Sequence, residues 1–304
     1  MKQFIFSIII TTKNEAENIG HCLESIKRQN FSSGKVEIIV VDNNSTDKTK
    51  QIARRFTKLV FNKGPERSAQ RNYGMKKAKG KYLFYLDADM SLSAGLLKAA
   101  VEKMEKGNLA GLYIVERVMG EEKLNSTKTQ KPEVSRLVHL GGGKYWTRVR
   151  DFERQFYTGT AVDAVRMVRA DVFAKSGGFD EKLTGPEDWD FDKRIRQMGK
   201  TAVLPEHDGC IFHNEGRFSF AKYLHKKSYY LKYFVRYKVK WLGDPEVKKQ
   251  FSPWYRMFGV FLERGKWKGL LGRPDLAAGM YILRFMVAVG YVIENLKALK
   301  KKVV

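Results

Sequence analysis

The chain has 304 residues, 43% of them hydrophobic, enough for one large globular domain with or without an appendage. Charged residues make up 30%, yet apolar runs recur along the whole length, which excludes a wholly disordered polymer. The net charge of +24, from Lys+Arg 57 against Asp+Glu 33, favours anionic partners: phosphates, nucleic acid or an acidic membrane face.

In chain order, residues 4–10 form an apolar run of strand length, too short for a secretory leader and without a small-residue cleavage site. Asn14 reads as a helix cap with Glu17 three residues on, followed by Ile19, Leu23 and Ile26 at helical spacing. A second strand over 36–41 ends at Asp42, and Thr46 is placed to cap a helix carrying Ile52, Ala53 and Phe56. A short strand near 59–61 leads to a helix over 68–77, then a strand over 81–86 ends at Asp87. Ser93 opens a further helix with Leu96, Leu97, Ala100, Val101 and Met104 inward. This alternation predicts an α/β fold, a mostly parallel sheet flanked by helices. In such sheets ligands bind beyond the carboxyl ends of strands, where the polar clusters at Thr11, Asp42 and Asp87 stand.

Residues 119–150 interrupt the rhythm with a polar stretch lacking periodicity, either a mobile acceptor-side lid or a flexible insertion. The pattern tightens again over 159–199. From Glu215 onward Lys+Arg number 20 and Asp+Glu 6, so residues 1–215 read as the catalytic part and 216–304 as a basic, aromatic-rich helical extension. Cys22 and Cys210 lie far apart without metal-type spacing and read as reduced thiols of a cytoplasmic protein.

Chemistry concentrates at Asp87-Ala88-Asp89. Two carboxylates leaving a strand two residues apart suit one hard divalent cation, Mn²⁺ or Mg²⁺, that shares its oxygens with phosphate. Alone the pair is a weak signal, because surface loops carry such pairs by chance. It is accompanied by Thr11-Thr12-Lys13-Asn14-Glu15-Ala16, by Asp42-Asn43-Asn44-Ser45-Thr46-Asp47, and by Ala69-Gln70-Arg71-Asn72-Tyr73-Gly74. Downstream stand Gly177-Gly178-Phe179-Asp180 and Gly185-Pro186-Glu187-Asp188-Trp189-Asp190. This ordered set resembles the family-2 glycosyltransferases of the GT-A fold over about residues 4–213.

The resemblance implies an inverting transferase with a nucleotide-sugar donor, UDP-sugar before GDP-sugar. Thr11, Thr12, Asn14, Glu15 and Asn44 would line the nucleotide pocket, Asp42 would meet the base, and Arg71 would lie near the diphosphate. Asp87 would face the ribose or sugar side, and Asp89 would bind the metal, with His213 completing the metal site. Asp188, beside Glu187, would deprotonate the acceptor hydroxyl. Such a base is worth about 10²–10⁴-fold, and its neighbour would raise one of the two pKa values by like-charge proximity. Departures from the family pattern are Asn43-Asn44 where an acid and glycine are common, and Pro186 before Glu187. Asparagine tolerates left-handed backbone, so the turn survives.

Alternatives remain at three of these positions. Asp188 has a cap role open to it, Arg71 a solvated one, and His213 that of an ordinary polar residue. In the tail, Tyr223, Tyr230, Phe234, Tyr237 and Trp241 share one helical stripe interleaved with lysines, which fits either an interfacial helix or packing on the catalytic part. Residues 276–293 are apolar except Arg284. Eight Leu, Ile, Phe and Val residues give ~2.4–4.8 kcal/mol for insertion against ~2.5–3.5 for the arginine. With basic flanks on both sides, in-plane or re-entrant helices on the inner face of the membrane are expected. The acceptor would then be a glycan or a lipid-linked saccharide. Competing functions are a polyprenyl-phosphate sugar synthase and a basic nucleic-acid-binding protein. The strand-end acids argue against nucleic acid, and the Glu187-Asp188 pair against a phosphate nucleophile.

Overall fold

The computed structural model describes residues 4–31, 34–119, 142–216 and 218–303. The chain begins β1 (Phe6–Thr12), α1 (Ile19–Lys27), β2 (Val36–Asp42), α2 (Thr49–Ala53), β3 (Val60–Asn62), α3 (Arg67–Lys77) and β4 (Tyr82–Asp87). Next come β5 (Met90–Leu92), α4 (Leu96–Gly107), β6 (Gly111–Ile114) and β7 (Glu116–Met119). After these follow α5 (Gly142–Gln155), β8 (Met167–Arg169), α6 (Ala170–Ser176), α7 (Glu187–Met198), β9 (Thr201–Leu204) and β10 (Ile211–Asn214). The last third holds α8 (Phe220–Lys240), α9 (Pro245–Phe251), a π-helical turn (Tyr255–Gly259), α10 (Val260–Leu262), α11 (Trp267–Gly272) and α12 (Pro274–Val303).

The main sheet has seven strands in the order β3-β2-β1-β4-β8-β6-β9, with β8 antiparallel to both neighbours and the other pairs parallel. A small sheet, β5-β10-β7, closes one end. Strand β1 is buried along its whole length because both faces are covered, which is why it reads as a continuous apolar run. Phe6, Ile8 and Ile10 pack with α1 and α4 on one face, and Ile9 packs with Phe173, Phe179 and Phe191 in the core on the other. Parallel register then sets Thr12 beside Asp42 and Thr11 beside Asp87. The three polar strand ends therefore arrive at one edge of the sheet.

Several local expectations change. Asn14 does not cap α1, which starts at Ile19. It sits at φ +54° and clasps the next loop, its Oδ1 accepting from Thr46 N at 2.9 Å. Thr46 is thereby a loop partner, and α2 starts only at Thr49. Ser93 stands ahead of α4, whose cap is Gly95. Of the stretch 119–150 expected as loop, residues 142–150 belong to α5, and 120–141 lie outside the described residues.

The aromatic stripe of α8 turns inward. Phe234 stacks on Trp189 with centroids 5.8 Å apart, Tyr237 is fully buried with Leu183 and Val247, and Trp241 Nε1 donates to Asp190 Oδ1 at 2.9 Å. Tyr230 lies against Gly185, at φ +101°, where a Cβ would stand 2.8 Å from the ring. This stripe is a packing face, not an interfacial one, and the composition break at Glu215 is not a spatial separation. Arg284 is also buried, its guanidinium 3.0 Å from Glu153 and donating to Tyr157 Oη at 2.5 Å. Among the described residues no helix is long and apolar enough to cross a membrane.

Candidate active site

The strand-end acids have distinct surroundings. Asp42 is fully buried, and Ser45 donates to it twice, from its backbone N at 2.7 Å and its hydroxyl at 2.5 Å. It thus builds the turn in which Asn44 takes φ +53°, the left-handed geometry asparagine tolerates. Thr11 Oγ1 donates to Asp87 Oδ1 at 2.8 Å, while the buried Thr12 hydroxyl has no partner. Glu15 accepts from Asn18 at 2.6 Å. Burial pushes its carboxyl up against that bond, and the charges of Asp89 and Asp87 add to the rise.

Arg71 joins the two halves of the site. It is 0% exposed, with Nη1 2.6 Å from Asp188 Oδ1 and Nη2 3.2 Å from Asp87 Oδ1. Its guanidinium lies over the rings of Tyr85 and Phe179, at 4.7 and 5.3 Å. That rules out a solvated role. Burial works against ionisation of Asp87, but Arg71 and Arg67 outweigh it and hold the carboxyl well below the usual carboxylate range. Asp188 sits in the first turn of α7, whose cap is Pro186 with no side-chain cap bond, so Asp188 is not the cap. Its side chain is 23% exposed, open enough for a substrate to reach. Glu187 beside it is 1% exposed. Burial raises its pKa, opposed by Arg67, and the neighbouring Asp188 adds to the rise, so like-charge proximity is the smaller cause.

At the other side of Asp87, Asp89 Oδ2 lies 3.2 Å from His213 Nε2, and Asp89 Oδ1 is buried without a partner. An unpartnered buried carboxylate oxygen beside an imidazole nitrogen fits a hard divalent cation that takes its remaining positions from water and diphosphate oxygens. Among the described residues no group of three or more His, Cys, Asp or Glu is arranged to hold a metal alone. His213 is itself held from behind. Arg154 approaches Nδ1 at 3.4 Å and Glu116 stands 3.9 Å away. Burial opposes the ionisation of Glu116, but Arg154 and Arg166 hold its pKa at about 2.

The structure thus brings Thr11, Arg71, Asp87, Glu187 and Asp188 into one network and pairs Asp89 with His213. Asn14, Asn44 and Asp42 form the neighbouring loop wall. Sequence reasoning missed Arg67, 3.0 Å from Glu187 and 3.6 Å from Asp87, and also Glu116, Arg154 and Arg166. Arg67 carried a usable signal: it stands four residues before Arg71, which puts both on one helix face.

The family model for glycosyl transferase family 2 matches residues 7–177, more than half of the chain. Glycosyltransferase AglE of Haloferax volcanii is 40% identical over 92 residues, 28% of this chain and 30% of that protein. Poly(ribitol-phosphate) beta-N-acetylglucosaminyltransferase TarS of Staphylococcus aureus is 32% identical over 103 residues, 31% of this chain and 18% of that one. The matches thus span less than a third of either curated relative. Among solved structures, TarS 1-349 superposes with a TM-score of 0.55 over 90% of this chain and 78% of that one, at 18% identity. Mannosyltransferase PcManGT from Pyrobaculum calidifontis, in complex with GDP-Man and Mn2+, superposes with a TM-score of 0.56 over 95% of this chain and 80% of that one, also at 18% identity. The mostly parallel sheet with its flanking helices is the GT-A arrangement, and the chain belongs to glycosyl transferase family 2.

Proposed function

We propose that the protein moves a sugar from a nucleotide-diphosphate donor, a UDP-sugar in preference to a GDP-sugar, onto an acceptor hydroxyl with inversion at the anomeric carbon. One observation carries this reading: Arg71 spans Asp87 and Asp188. A carboxylate at the donor end of the sheet and a partly open carboxylate on α7 thus share one cation. Asp188 would take the acceptor's proton, and Arg67 and Arg71 would offset charge gathering on the departing diphosphate. Asp89, Asp87 and His213 would hold Mn²⁺ or Mg²⁺, which when bound neutralises diphosphate oxygens. The acceptor is read as a glycan or a lipid-linked saccharide, met by an enzyme peripheral to the inner, cytoplasmic face of a membrane.

The test is a panel of nucleotide-sugars with Mn²⁺, read by mass spectrometry, followed by Asp188→Asn on the active donor and its acceptor. Transfer to a hydroxyl falls by about 10²–10⁴-fold in the variant. Undiminished transfer, as a phosphate nucleophile would allow, overturns the proposed role of Asp188 and favours a polyprenyl-phosphate sugar synthase.

A further inference from the structure

Among the described residues, every exposed large apolar side chain but Met198 lies in the C-terminal helical region: Tyr229, Val235, Val239 and Leu242 on or just after α8, and the others from Trp254 onward. On α12, Leu276, Met280, Leu283 and Arg284 face inward, and Ile282, Phe285 and Val289 stand on the opposite side, with Phe285 65% exposed. At 100° per residue these are two opposed stripes of one helix, both apolar. The adjoining segment repeats the pattern: Trp254, Phe258 and Leu262 recur every four residues and are exposed. The two stripes are neighbours, because the Phe258 ring lies 5.9 Å from that of Tyr281. Trp267 and Leu271 on α11, the latter 72% exposed, extend the same chain of exposed apolar positions.

Exposed basic residues are interleaved with this surface. Arg264 and Lys268 are both exposed and fall between Leu262 and Leu271. Eight exposed large apolar side chains between Trp254 and Val289 on an otherwise well-packed chain mark a contact surface. A second copy of a +24 chain would bring these cations against one another, whereas an anionic lipid surface complements them. No described helix is apolar enough to cross, and Arg284, the residue that made crossing costly, is bound inside the protein on the far side of α12. A helix apolar outward and anchored inward lies in the plane of the headgroup region.

We infer that the face made by Ile282, Phe285 and Val289 of α12 with Trp254, Phe258 and Leu262 is a docking surface for an anionic lipid bilayer. The inference gives a location to the peripheral membrane reading above, and stands apart from the assignment of glycosyl transfer. Arg284 contacts Glu153 on α5, the helix whose next residue, Arg154, approaches His213. The lipid face and the candidate metal residues are thus connected through one packed helix, which suits a lipid-borne acceptor.

The full chain is mixed with phosphatidylcholine vesicles with and without phosphatidylglycerol and floated at low and high salt. Donor turnover and thermal midpoint are read on the same samples. The wild type partitions onto the anionic vesicles at low salt, and Ile282→Glu with Phe285→Glu reduces partition by about tenfold or more, since binding scales with buried apolar area. Turnover of soluble donor stays unchanged, so a failed donor assay and a failed docking face are told apart. Acyl-chain-brominated lipids quench wild-type tryptophan fluorescence, and Trp254→Phe with Trp267→Phe removes most of that quenching, a readout that does not depend on the charged variants folding. Partition unaffected by the Ile282/Phe285 substitutions, absence of quenching in the wild type, or a soluble dimer abolished by those substitutions without vesicle binding would each overturn the inference.

Discussion

Replacing Arg71 by Met removes the guanidinium and keeps much of its length and its packing over Tyr85 and Phe179. The charge is fully buried and contacts Asp188 at 2.6 Å and Asp87 at 3.2 Å, with Glu187 at 3.8 Å. Truncating one partner of a buried pair costs ~3–5 kcal/mol. The lower end applies here, because both aspartates are partly open to water and Arg67 stays 3.6 Å from Asp87. The pH dependence has a definite sign. Asp87 is held below its unfolded value of about 4, so its contribution is present above that pH and is lost as pH falls through the lower folded value. The wild-type advantage over Arg71→Met is therefore full at neutral pH and shrinks below about pH 4. Urea midpoints at pH 7 and pH 3 measure it. Donor turnover should fall by about 10²–10³-fold, the typical loss when one positioned charge donor is removed. A variant within ~1 kcal/mol of wild type at neutral pH and fully active would refute the bridge, since surface arginines contribute that little.

The remaining expectations concern other parts of the chain. Glu116→Gln loosens the support behind His213 and raises the Mn²⁺ concentration for half-maximal turnover by about 10–100-fold, read by metal titration after chelation; an unchanged requirement would detach Glu116 from the metal site. Tyr237→Ala leaves a cavity between α8 and the loop at Leu183 and costs ~3–5 kcal/mol in urea unfolding. A cost under ~1 kcal/mol would mean that α8 does not rest on the catalytic part. Burial raises the Asp163 pKa to about 7, against the pull of the Gly159 N–H at 2.8 Å. A raised carboxyl favours folding below its unfolded pKa and loses that contribution as pH rises through about 7. Asp163→Asn should therefore flatten the decline of the thermal midpoint between pH 5 and pH 8, and equal slopes in the two proteins would contradict this.

Strands β1 to β4 were legible because each announces itself locally, whereas the short strands β5 to β10, three or four residues each, carried no such signal. Apolar runs at 6–12, 36–42 and 82–87 end in polar residues, and parallel pairing puts such ends together. Asp87, Asp89 and Asp188 were singled out as candidates this way or through family motifs. What could not be read was contact between distant segments: nothing near Arg71 announces Asp188, 117 positions on. Glu116 and Arg154 are invisible for the same reason, since neither lies in a motif and their value comes from reaching His213. The α8 stripe was ambiguous in kind. Helical spacing defines a face but not what covers it, and only Leu183, Trp189 and Val247 identify the cover as protein. At Asn14 a short-range capping pattern lost to a longer loop-to-loop hydrogen bond.

The fastening of α8 to α7 bears on how such enzymes diversify. The family match stops at residue 177, ahead of Asp188, while Trp241 and Lys240 of the last third reach Asp190, two residues past Asp188. On the proposed assignment, the donor-side residues Thr11, Asp42 and Asp87 lie within the family match, while the surroundings of Asp188 depend on contacts from the C-terminal helices. Exchanging those helices between relatives would carry base orientation and acceptor choice as one unit and leave the donor pocket as it was. New acceptors can then be acquired by replacing a single contiguous stretch of gene, provided the incoming helix brings its own partners for Asp190 and Trp189.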